Sequence, residues 1–406
     1  MAGRSQSPGP TLFAVDIDSI QLTWSRLDPD LSRVRVGDVL VDLDPGAADD
    51  PLAPRGPASL VVRELPAGTL LDIRIETQRG ADRGHQAVRT LSPPPGPELF
   101  RFATISDLHI GEQHFGYLGT IVERPRPPDP YSLRAAQAGI DEIGAWGAEL
   151  LVVKGDITVD ARAEDWQRFG RMVADAGMPI MATPGNHDRV TGTGVPGWRK
   201  WITGEPIPRP GPPIPVAEGL ALAGFDAGAL DAVQVRDVPG LRIVLVDTTV
   251  PGHRHGQVAP YVDEIADAAR DAPGPVVVAL HHQLMTTAVP TYIPVGIDRD
   301  QSRAFLDRLV AANPAVLVTS GHTHRHRRRR HGPAVVTEVG SPKDFPGTWA
   351  GYVVHEGGIR QVVRRIGRPD VLRWTDQSAS AALGLWGRWS PGALDDRCFA
   401  HTWPTR

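Results

Sequence analysis

The stretch LLVVKGDI, residues 150–157, indicates a buried β-strand that ends in a polar loop. A short apolar run bounded by glycine is typical of a strand covered on both faces. The flanking stretches SLRAAQAGIDEIGAWG (132–147) and AEDWQRFGRMVADAG (163–177) instead have helical periodicity. Their apolar residues fall on one face of each helix, namely Leu133, Ala136, Ile140 and Ile143 in the first and Trp166, Phe169 and Val173 in the second. A buried strand between two amphipathic helices predicts an α/β domain.

The same alternation continues along the chain on both sides of this unit. Further strands are predicted at LFRFATISD, PIMATPGNHD, LRIVLVD, PVVVALHH, AVLVTSGHTH and AVVTEVGS. Helices are predicted at about 260–271 and 300–312, and YVVHEGGIRQVV indicates a closing hairpin around Gly357 and Gly358. These elements place an α/β (α+β) domain at residues 99–366.

The remaining segments have different patterns. Residues 1–10 are expected to be disordered, and residues 11–92 contain only strand patterns, which predicts a small fibronectin-like or Ig-like β-sandwich. In that sandwich, Ile20, Leu22 and Trp24 are expected to face the core. PPPGPE, residues 93–98, is expected to be a stiff linker. Residues 367–406 have little periodicity and are interpreted as a tail packed on the surface.

Composition limits the range of functions. The net charge of −4 gives no global attraction to nucleic acid, so a nucleic-acid partner is not expected. A single cysteine, Cys398, excludes internal disulfides and thiolate metal clusters. The N-terminus has no apolar core typical of a signal peptide, and no apolar run is long enough to span a membrane. A cytoplasmic protein is therefore the default expectation, and a homo-oligomer is left open.

Polar residues follow five of the predicted strands directly. Ligands of α/β sheets bind beyond the carboxyl ends of strands, so these side chains are expected to converge. They are Asp107 and His109, Asp156, Asn186 to Asp188, His281 and His282, and His322 and His324. Each block alone is weak, since Asn and Asp favour turns and a single histidine is more often a core residue. Together they predict a metal site, and nitrogen and oxygen ligands without sulfur suit Mn, Fe or Zn.

These blocks resemble the motifs of the calcineurin-like metallophosphoesterases: Asp-x-His, Gly-Asp, Gly-Asn-His-Asp, a strand-end His and Gly-His-x-His. The resemblance covers roughly residues 99–366. It implies a four-layer sandwich of two mixed β-sheets flanked by helices, preceded here by the small all-β domain. It also implies two divalent or trivalent metal ions and a small phosphoester substrate.

The resemblance assigns roles to individual residues. One metal would be bound by Asp107, His109, Asp156 and His324. The second would be bound by Asp156, Asn186, His281 and His322. His187 would protonate the leaving group or stabilise the transition state, and a hydroxide between the metals would attack phosphorus in line.

Further details resemble the class III cyclic-nucleotide phosphodiesterase branch, which also contains glycerophosphodiesterases. They are DLHIG, VDTTVPG and the HH pair. Purple acid phosphatases also have a front β-domain, but GDITVD lacks their metal-binding tyrosine, so that identity is rejected. A phosphodiesterase is the leading hypothesis. The alternatives are a phosphomonoesterase or a phospholipid or nucleotide pyrophosphate hydrolase on the same site, and a non-catalytic scaffold is disfavoured because no ligand is missing.

Several residues keep two interpretations. His281 is preferred over His282 as the ligand, although HHQ replaces the usual HHP of relatives, and His282 would then orient a neighbour or pack. Asp188 is expected to orient a ligand. Arg325 and Lys343 are candidates for holding an anionic substrate, while the arginines of GHTHRHRRRRH (321–331) otherwise form a solvated hairpin. The Pro- and Gly-rich segment 191–240 is a candidate substrate rim.

Overall fold

We describe a computed structural model of the chain over residues 9–43, 56–78, 82–116, 120–123, 127–189, 212–285 and 295–404. Most of the N-terminal segment 1–10 lies outside these ranges, so its predicted disorder stays a prediction. The first half of segment 191–240 also lies outside them. The second half contains helix α3 (Val216–Leu222) and the strand Val233–Val238 rather than one long loop.

The N-terminal region forms two antiparallel sheets that pack face to face. Its strands are β1 (Thr11–Val15), β2 (Ile20–Trp24), β3 (Leu31–Val36), β4 (Val39–Asp42), β5 (Ala58–Val62), β6 (Leu70–Thr77) and β7 (Asp82–Arg89). One sheet has the order β1-β2-β5 and the other β4-β3-β6-β7. Ile20, Leu22 and Trp24 lie in the core between the sheets with Val34 and Ile73, as the alternation predicts.

The first sheet of the larger domain has the order β12-β11-β8-β19-β20-β21. Its strands are β8 (Glu98–Ile105), β11 (Leu150–Lys154), β12 (Ile180–Thr183), β19 (Thr348–His355), β20 (Gly358–Arg365) and β21 (Cys398–Thr402). β8, β11 and β12 are parallel, whereas β19, β20 and β21 add antiparallel pairs. β9 (His114–Phe115) and β10 (Ile121–Val122) form a separate two-stranded ribbon.

The second sheet has the order β13-β14-β15-β16-β18-β17. Its strands are β13 (Val233–Val238), β14 (Leu241–Val246), β15 (Val276–Leu280), β16 (Val316–Ser320), β17 (Arg327–His331) and β18 (Ala334–Glu338). β14, β15, β16 and β18 are parallel, and β13 and β17 are antiparallel edge strands. Both sheets are therefore mixed, as predicted.

Helices cover the outer face of each sheet. They are α1 (Tyr131–Ala145), α2 (Ala163–Asp175), α4 (Val262–Arg270) and α5 (Arg299–Ala312). One apolar core contains Phe102 and Val152 of the first sheet with Ile243 and Val277 of the second, so the sheets pack directly on each other. Two further cores lie beneath α1 and α2 and beneath α4 and α5. This is the predicted four-layer sandwich, and α2 ends as expected before Gly177 in the left-handed conformation (φ +67°).

Residues 367–406 differ from the expected surface tail. They contain α6 (Pro369–Ser378), α7 (Leu385–Trp389), α8 (Leu394–Arg397) and β21, and β21 pairs with β20 as the last strand of the first sheet. Trp374 is buried and stacks on Tyr131 at a ring-centroid distance of 3.7 Å. The periodicity is weak because these helices are short and β21 begins at Cys398, directly after α8.

The N-terminal sandwich is bonded directly to β20. Asp16 accepts hydrogen bonds from Arg360 at 2.8 Å and from Arg364 at 3.1 Å, and all three side chains are buried. Gln21 donates to the carbonyl of Arg365 at 2.7 Å and accepts from its amide at 2.9 Å. The outward face of β2 is therefore buried against the larger domain, and the two domains are joined by contacts beyond the 93–98 segment.

Candidate metal centre

The predicted strand-end blocks converge where the two sheets meet. Asp107 follows β8, Asp156 follows β11, Asn186 follows β12, His281 follows β15, and His322 follows β16. The loops are tied together by backbone hydrogen bonds, from the Asp107 amide to the Gly155 carbonyl and from the His109 amide to the Asp156 carbonyl, both at 2.9 Å. Parallel strands thus bring residues far apart in sequence into one cluster.

Backbone conformation marks the same residues. Five of the seven candidate ligands have a left-handed φ: Asp107 (58°), His109 (46°), Asp156 (50°), His322 (67°) and His324 (53°). Non-glycine residues rarely adopt this region, and such strain concentrates at functional sites. The left-handed turns let the chain reverse immediately after each strand, so each side chain points into the cluster.

Two motif glycines permit the close approach of the loops. A Cβ at Gly185 would lie 2.2 Å from the Asp156 Oδ1 atom. A Cβ at Gly321 would lie 2.3 Å from Ser106 Oγ and 2.6 Å from Asp107 Oδ2. Glycine is therefore required at the first position of Gly-Asn-His-Asp and of Gly-His-x-His, because any side chain there would displace a carboxylate.

Asp107, His109, Asp156 and His324 form the first group of candidate ligands. His109 Nε2 lies 3.3 Å from Asp156 Oδ2, and His324 Nε2 lies 3.3 Å from Asp107 Oδ1. Asp107 also accepts hydrogen bonds from the His322 amide and from Ser106 Oγ, at 2.9 and 2.7 Å. These bonds fix the Asp107 carboxylate between the two loops.

Asp156, Asn186, His281 and His322 form the second group. His281 Nε2 lies 3.4 Å from Asp156 Oδ2, 3.2 Å from Asn186 Oδ1 and 3.1 Å from His322 Nδ1. The other ring nitrogen, Nδ1, is 2.8 Å from the Lys154 carbonyl, which orients the imidazole. Asp156 Oδ2 is thus shared between the two groups, as a carboxylate that bridges two cations would be.

Burial and neighbouring charges shift the pKa values of these histidines in opposite directions. Burial lowers the pKa of His109 to about 4 and, with the nearby His281, that of His322 to about 3. Burial also opposes the charge of His324 and His281, but Asp344 and Asp107 outweigh it at His324 and Asp156 does so at His281. Their pKa values rise to about 10 and about 9. In both cases a carboxylate keeps the proton on the ring when no cation is present.

The donor set fits metal ions. Among the described residues, Nδ1 of buried His109 and Nε2 of buried His322 have no hydrogen-bond partner. Buried imidazole nitrogens without partners are costly unless something coordinates them. Four triplets of His and Asp ligand atoms, drawn from both groups and their neighbours, each lie within 4.8 Å of one another. Imidazole, carboxylate and amide ligands suit Mn, Fe or Zn.

His187 and Asp188 have different surroundings. His187 is half-buried, its Nδ1 lies 3.0 Å from the Val159 carbonyl, and its ring centroid is 4.5 Å from that of His109. Asp188 is buried and accepts from the amides of Ile157, Thr158 and Gly185. Asp188 therefore fixes the Gly-Asp and Gly-Asn-His-Asp loops to each other, in line with an orienting role, while His187 lies beside the His109 ring.

His282 lies behind the candidate ligands. Its Nδ1 is 2.8 Å from Thr248 Oγ1, and its ring centroid is 4.5 Å from that of His322. A Cβ at Gly256 would lie 2.4 Å from the His282 ring, so the 250–256 loop packs against it. Among the described residues, His281 contacts Asp156 and Asn186, whereas His282 shares a possible ligand triplet with His281 and His322. The preference for His281 as the ligand stays a prediction.

The two cations considered for substrate binding are engaged elsewhere. Lys343 is 2% exposed and lies 2.5 Å from Glu112 Oε2 and 3.6 Å from Asp344 Oδ2. Arg325 is 3% exposed and its guanidinium lies 4.4 Å from the centre of the Trp389 ring. Arg325 follows His324 and Lys343 precedes Asp344 in the chain, but both side chains are almost fully buried.

The arginine run forms a hairpin strand, β17, rather than part of the site. Arg328 donates to Asp395 at 3.2 Å, Arg329 donates to Glu338 at 2.9 Å, and His331 lies 2.6 Å from Asp307. His326 is buried and lies 3.2 Å from both the Gly340 amide and Thr348 Oγ1. Arg328 and Arg329 are successive residues of an extended strand and bind acids of different segments.

Two residues of the site were missed by the sequence analysis. Asp344 Oδ2 lies 2.5 Å from His324 Nδ1, and Lys154 is fully buried and donates to Thr319 Oγ1 and the Ser320 carbonyl at 3.0 and 2.8 Å. Asp344 lies in SPKD, which follows β18, so the strand-end rule could have found it. Lys154 stands inside an apolar run and gave no such signal.

A profile described as calcineurin-like phosphoesterase matches residues 100–326, more than half of the chain. The chain therefore belongs to the calcineurin-like phosphoesterase family, which confirms the resemblance. It is 35% identical over 89 residues to a cAMP/cGMP dual specificity phosphodiesterase of Mycobacterium tuberculosis, covering 21% of this chain and 27% of the relative. It is 25% identical over 187 residues to the 3′,5′-cyclic adenosine monophosphate phosphodiesterase CpdA of Pseudomonas aeruginosa, covering 46% and 57%.

A third relative is a probable cyclic nucleotide phosphodiesterase of Rhodococcus erythropolis, 28% identical over 237 residues, with 57% of this chain and 66% of the relative covered. The chain thus matches between about a quarter and two thirds of the length of these relatives. In the described part of the chain, no helix has the length and apolar character needed to cross a bilayer. A cytoplasmic location stays a prediction, and the oligomeric state stays open.

Proposed function

We propose that this protein is a dinuclear metal-dependent phosphodiesterase that hydrolyses 3′,5′-cyclic nucleotides. The observation that carries the proposal is the position of Asp156, whose Oδ2 lies 3.3 Å from His109 Nε2 and 3.4 Å from His281 Nε2. One carboxylate oxygen thus faces both groups of candidate ligands. The names of the relatives in the preceding comparison support the cyclic-nucleotide substrate.

Asp107, His109, Asp156 and His324 would hold one metal ion, and Asp156, Asn186, His281 and His322 the other. When bound, such ions neutralise charge on phosphoryl oxygens and lower the pKa of water. Mn, Fe and Zn all suit the ligands. The protein's own contribution is to fix these side chains by strained turns and outer hydrogen bonds before a substrate arrives.

His187 is the proposed acid for the leaving oxygen. Its Nδ1 is held by the Val159 carbonyl at 3.0 Å, so Nε2 is the ring nitrogen left to act on a substrate. The backbone amide of His187 also donates to Asp156 Oδ1 at 2.8 Å, so the imidazole is fixed relative to the shared carboxylate. Opening a cyclic diester requires a proton on the departing ribose oxygen, and a positioned imidazole can supply it.

The deciding experiment compares bis(p-nitrophenyl) phosphate, p-nitrophenyl phosphate and 3′,5′-cyclic AMP as substrates of Mn-loaded protein at neutral pH. We expect faster turnover of the diesters than of the monoester. Asp156→Asn should abolish turnover and bound metal while retaining the circular dichroism spectrum. Asp160→Asn, on the same loop but outside the candidate ligands, serves as the control. Preference for the monoester would instead establish the phosphomonoesterase alternative.

A further inference from the structure

The segment Ala381–Trp389 of the C-terminal region packs against the metal-binding turn. The Trp386 ring lies 6.4 Å from the His324 ring in an edge-on arrangement and 6.1 Å from the Phe115 ring. Trp389 lies under the guanidinium of Arg325 at 4.4 Å. The two tryptophans thus attach this segment to the turn that carries His324.

The backbone of this segment is strained just before Trp386. Ala382, Leu383 and Gly384 have consecutive left-handed φ values of 50°, 58° and 82°. Leu383 is fully exposed at 102%, so burial of its side chain does not offset the strain. Residues held in such rarely populated backbone conformations cluster at functional sites. Here the reversal starts α7 at Leu385 and sets Trp386 beside His324.

Trp386 completes an aromatic wall at one side of the candidate metal centre. Phe115, Tyr131 and Trp374 form a buried cluster, and Trp386 packs on it while remaining partly exposed. Its indole nitrogen is buried and, among the described residues, has no hydrogen-bond acceptor. A partly exposed aromatic ring next to a phosphate-binding centre can take a planar organic group.

We propose that Trp386, supported by Phe115, is the wall on which the nucleobase of the substrate stacks. This inference rests on the proposed function, since it names where that substrate's base lies. In a cyclic nucleotide only the ribose separates the base from phosphorus, so a phosphate at the metal centre places the base near the rim. Stacking accepts any base because each presents a π face, so purine and pyrimidine cyclic nucleotides should both be substrates.

The test compares 3′,5′-cyclic AMP with ribose 3′,5′-cyclic phosphate, which keeps the reacting diester and lacks the base. Trp386→Ala and Trp386→Leu should each lower kcat/KM for cyclic AMP by about tenfold, the order of one lost base–aromatic stack. Both variants should leave kcat/KM for the base-free diester unchanged. Trp386→Phe should keep most of the activity because a ring is retained.

Leu385→Ala is the matched control, since Leu385 is the neighbouring residue and is 58% exposed. It should act like the wild type on both diesters. Binding of 5′-AMP, but not of ribose 5-phosphate, measured by isothermal titration calorimetry, should weaken in Trp386→Ala in parallel with kcat/KM.

An equal loss of kcat/KM for both diesters would mean that Trp386 only supports His324, and the stacking role would be overturned. Unchanged activity on cyclic AMP would overturn it too. Wild-type protein that hydrolyses neither diester would refute the proposed function itself, and 5′-AMP binding that is equal in wild type and Trp386→Ala would then refute the stacking wall separately.

Discussion

At the scale of single residues, His324 is held between two carboxylates. Its Nε2 lies 3.3 Å from Asp107 Oδ1, and its Nδ1 lies 2.5 Å from Asp344 Oδ2. Asp344 is itself buried and lies 3.6 Å from Lys343, which binds Glu112. A carboxylate behind a coordinating histidine fixes the ring and raises its basicity. Asp344 is therefore the outer partner of a candidate ligand.

Asp344→Asn should weaken metal binding by about 10–100-fold, the usual loss when such an outer partner is removed. Isothermal titration of the metal-free protein with Mn²⁺ measures this directly. The control is Asp307→Asn, because Asp307 forms an exposed pair with His331 at 2.6 Å. Equal metal affinity in both variants would show that Asp344 has no part in holding His324.

The raised pKa values of His281 and His324 predict how metal binding depends on pH. With pKa values of about 9 and about 10, both rings carry protons in the metal-free protein at neutral pH. A metal must displace these protons, so its affinity rises with pH until the folded-state pKa is passed. We therefore expect the Mn²⁺ affinity to keep rising from pH 6.5 to 8.5.

An ordinary histidine would instead give a plateau above about pH 7. Titrations in two buffers of different ionisation enthalpy would count the released protons. An affinity that is flat over this range, with no proton release, would contradict the assignment of His281 and His324 as protonated in the metal-free state.

At the scale of elements, the C-terminal segment completes both the first sheet and the wall of the site. β21 pairs with β20 from Gly358↔Thr402 to Val362↔Cys398, and Trp374 donates to the Lys343 carbonyl at 2.6 Å. The candidate site therefore depends on residues 367–406, which the sequence pattern indicated only as a tail packed on the surface. The helices of this segment are too short for periodicity to be visible, and β21 is recognised as a strand only by its partner.

Ending the chain after residue 368 should therefore prevent stable folding, because it exposes the β20 edge and the Tyr131 ring face. We expect insoluble protein, or soluble protein that has lost near-UV circular dichroism. A chain ending after Pro404 keeps every described element and should remain folded. A well-folded, metal-binding protein that lacks residues 369–406 would show that the segment is dispensable.

At the scale of the whole molecule, the sandwich and the larger domain share a buried ionic junction. Asp16 pairs with Arg360 and Arg364 of β20, and the exposed fractions of the three side chains are 3%, 4% and 8%. Removing one member of such a group leaves uncompensated charge away from water. The junction should therefore make the two domains unfold together.

Asp16→Ala should lower the free energy of unfolding by about 3–5 kcal/mol, the usual cost of breaking a buried ion pair. Urea denaturation followed by tryptophan fluorescence measures the change. Asp42→Ala removes an exposed pair with Arg33 in the same sandwich and should cost less than about 1 kcal/mol. Equal midpoints for the two variants would show that the junction adds no stability.

The sequence by itself determined the layer architecture and the candidate ligands. Buried strands and amphipathic helices have local patterns, and Asp107, Asp156 and His281 follow their strands directly, so register and topology bring them together. Only the tertiary structure showed that His281 rather than His282 contacts Asp156, that Arg325 and Lys343 are buried, and that Asp344 and Trp386 lie beside His324. These outcomes depend on contacts between residues distant in the chain, and on the burial that those contacts produce, which no local pattern encodes.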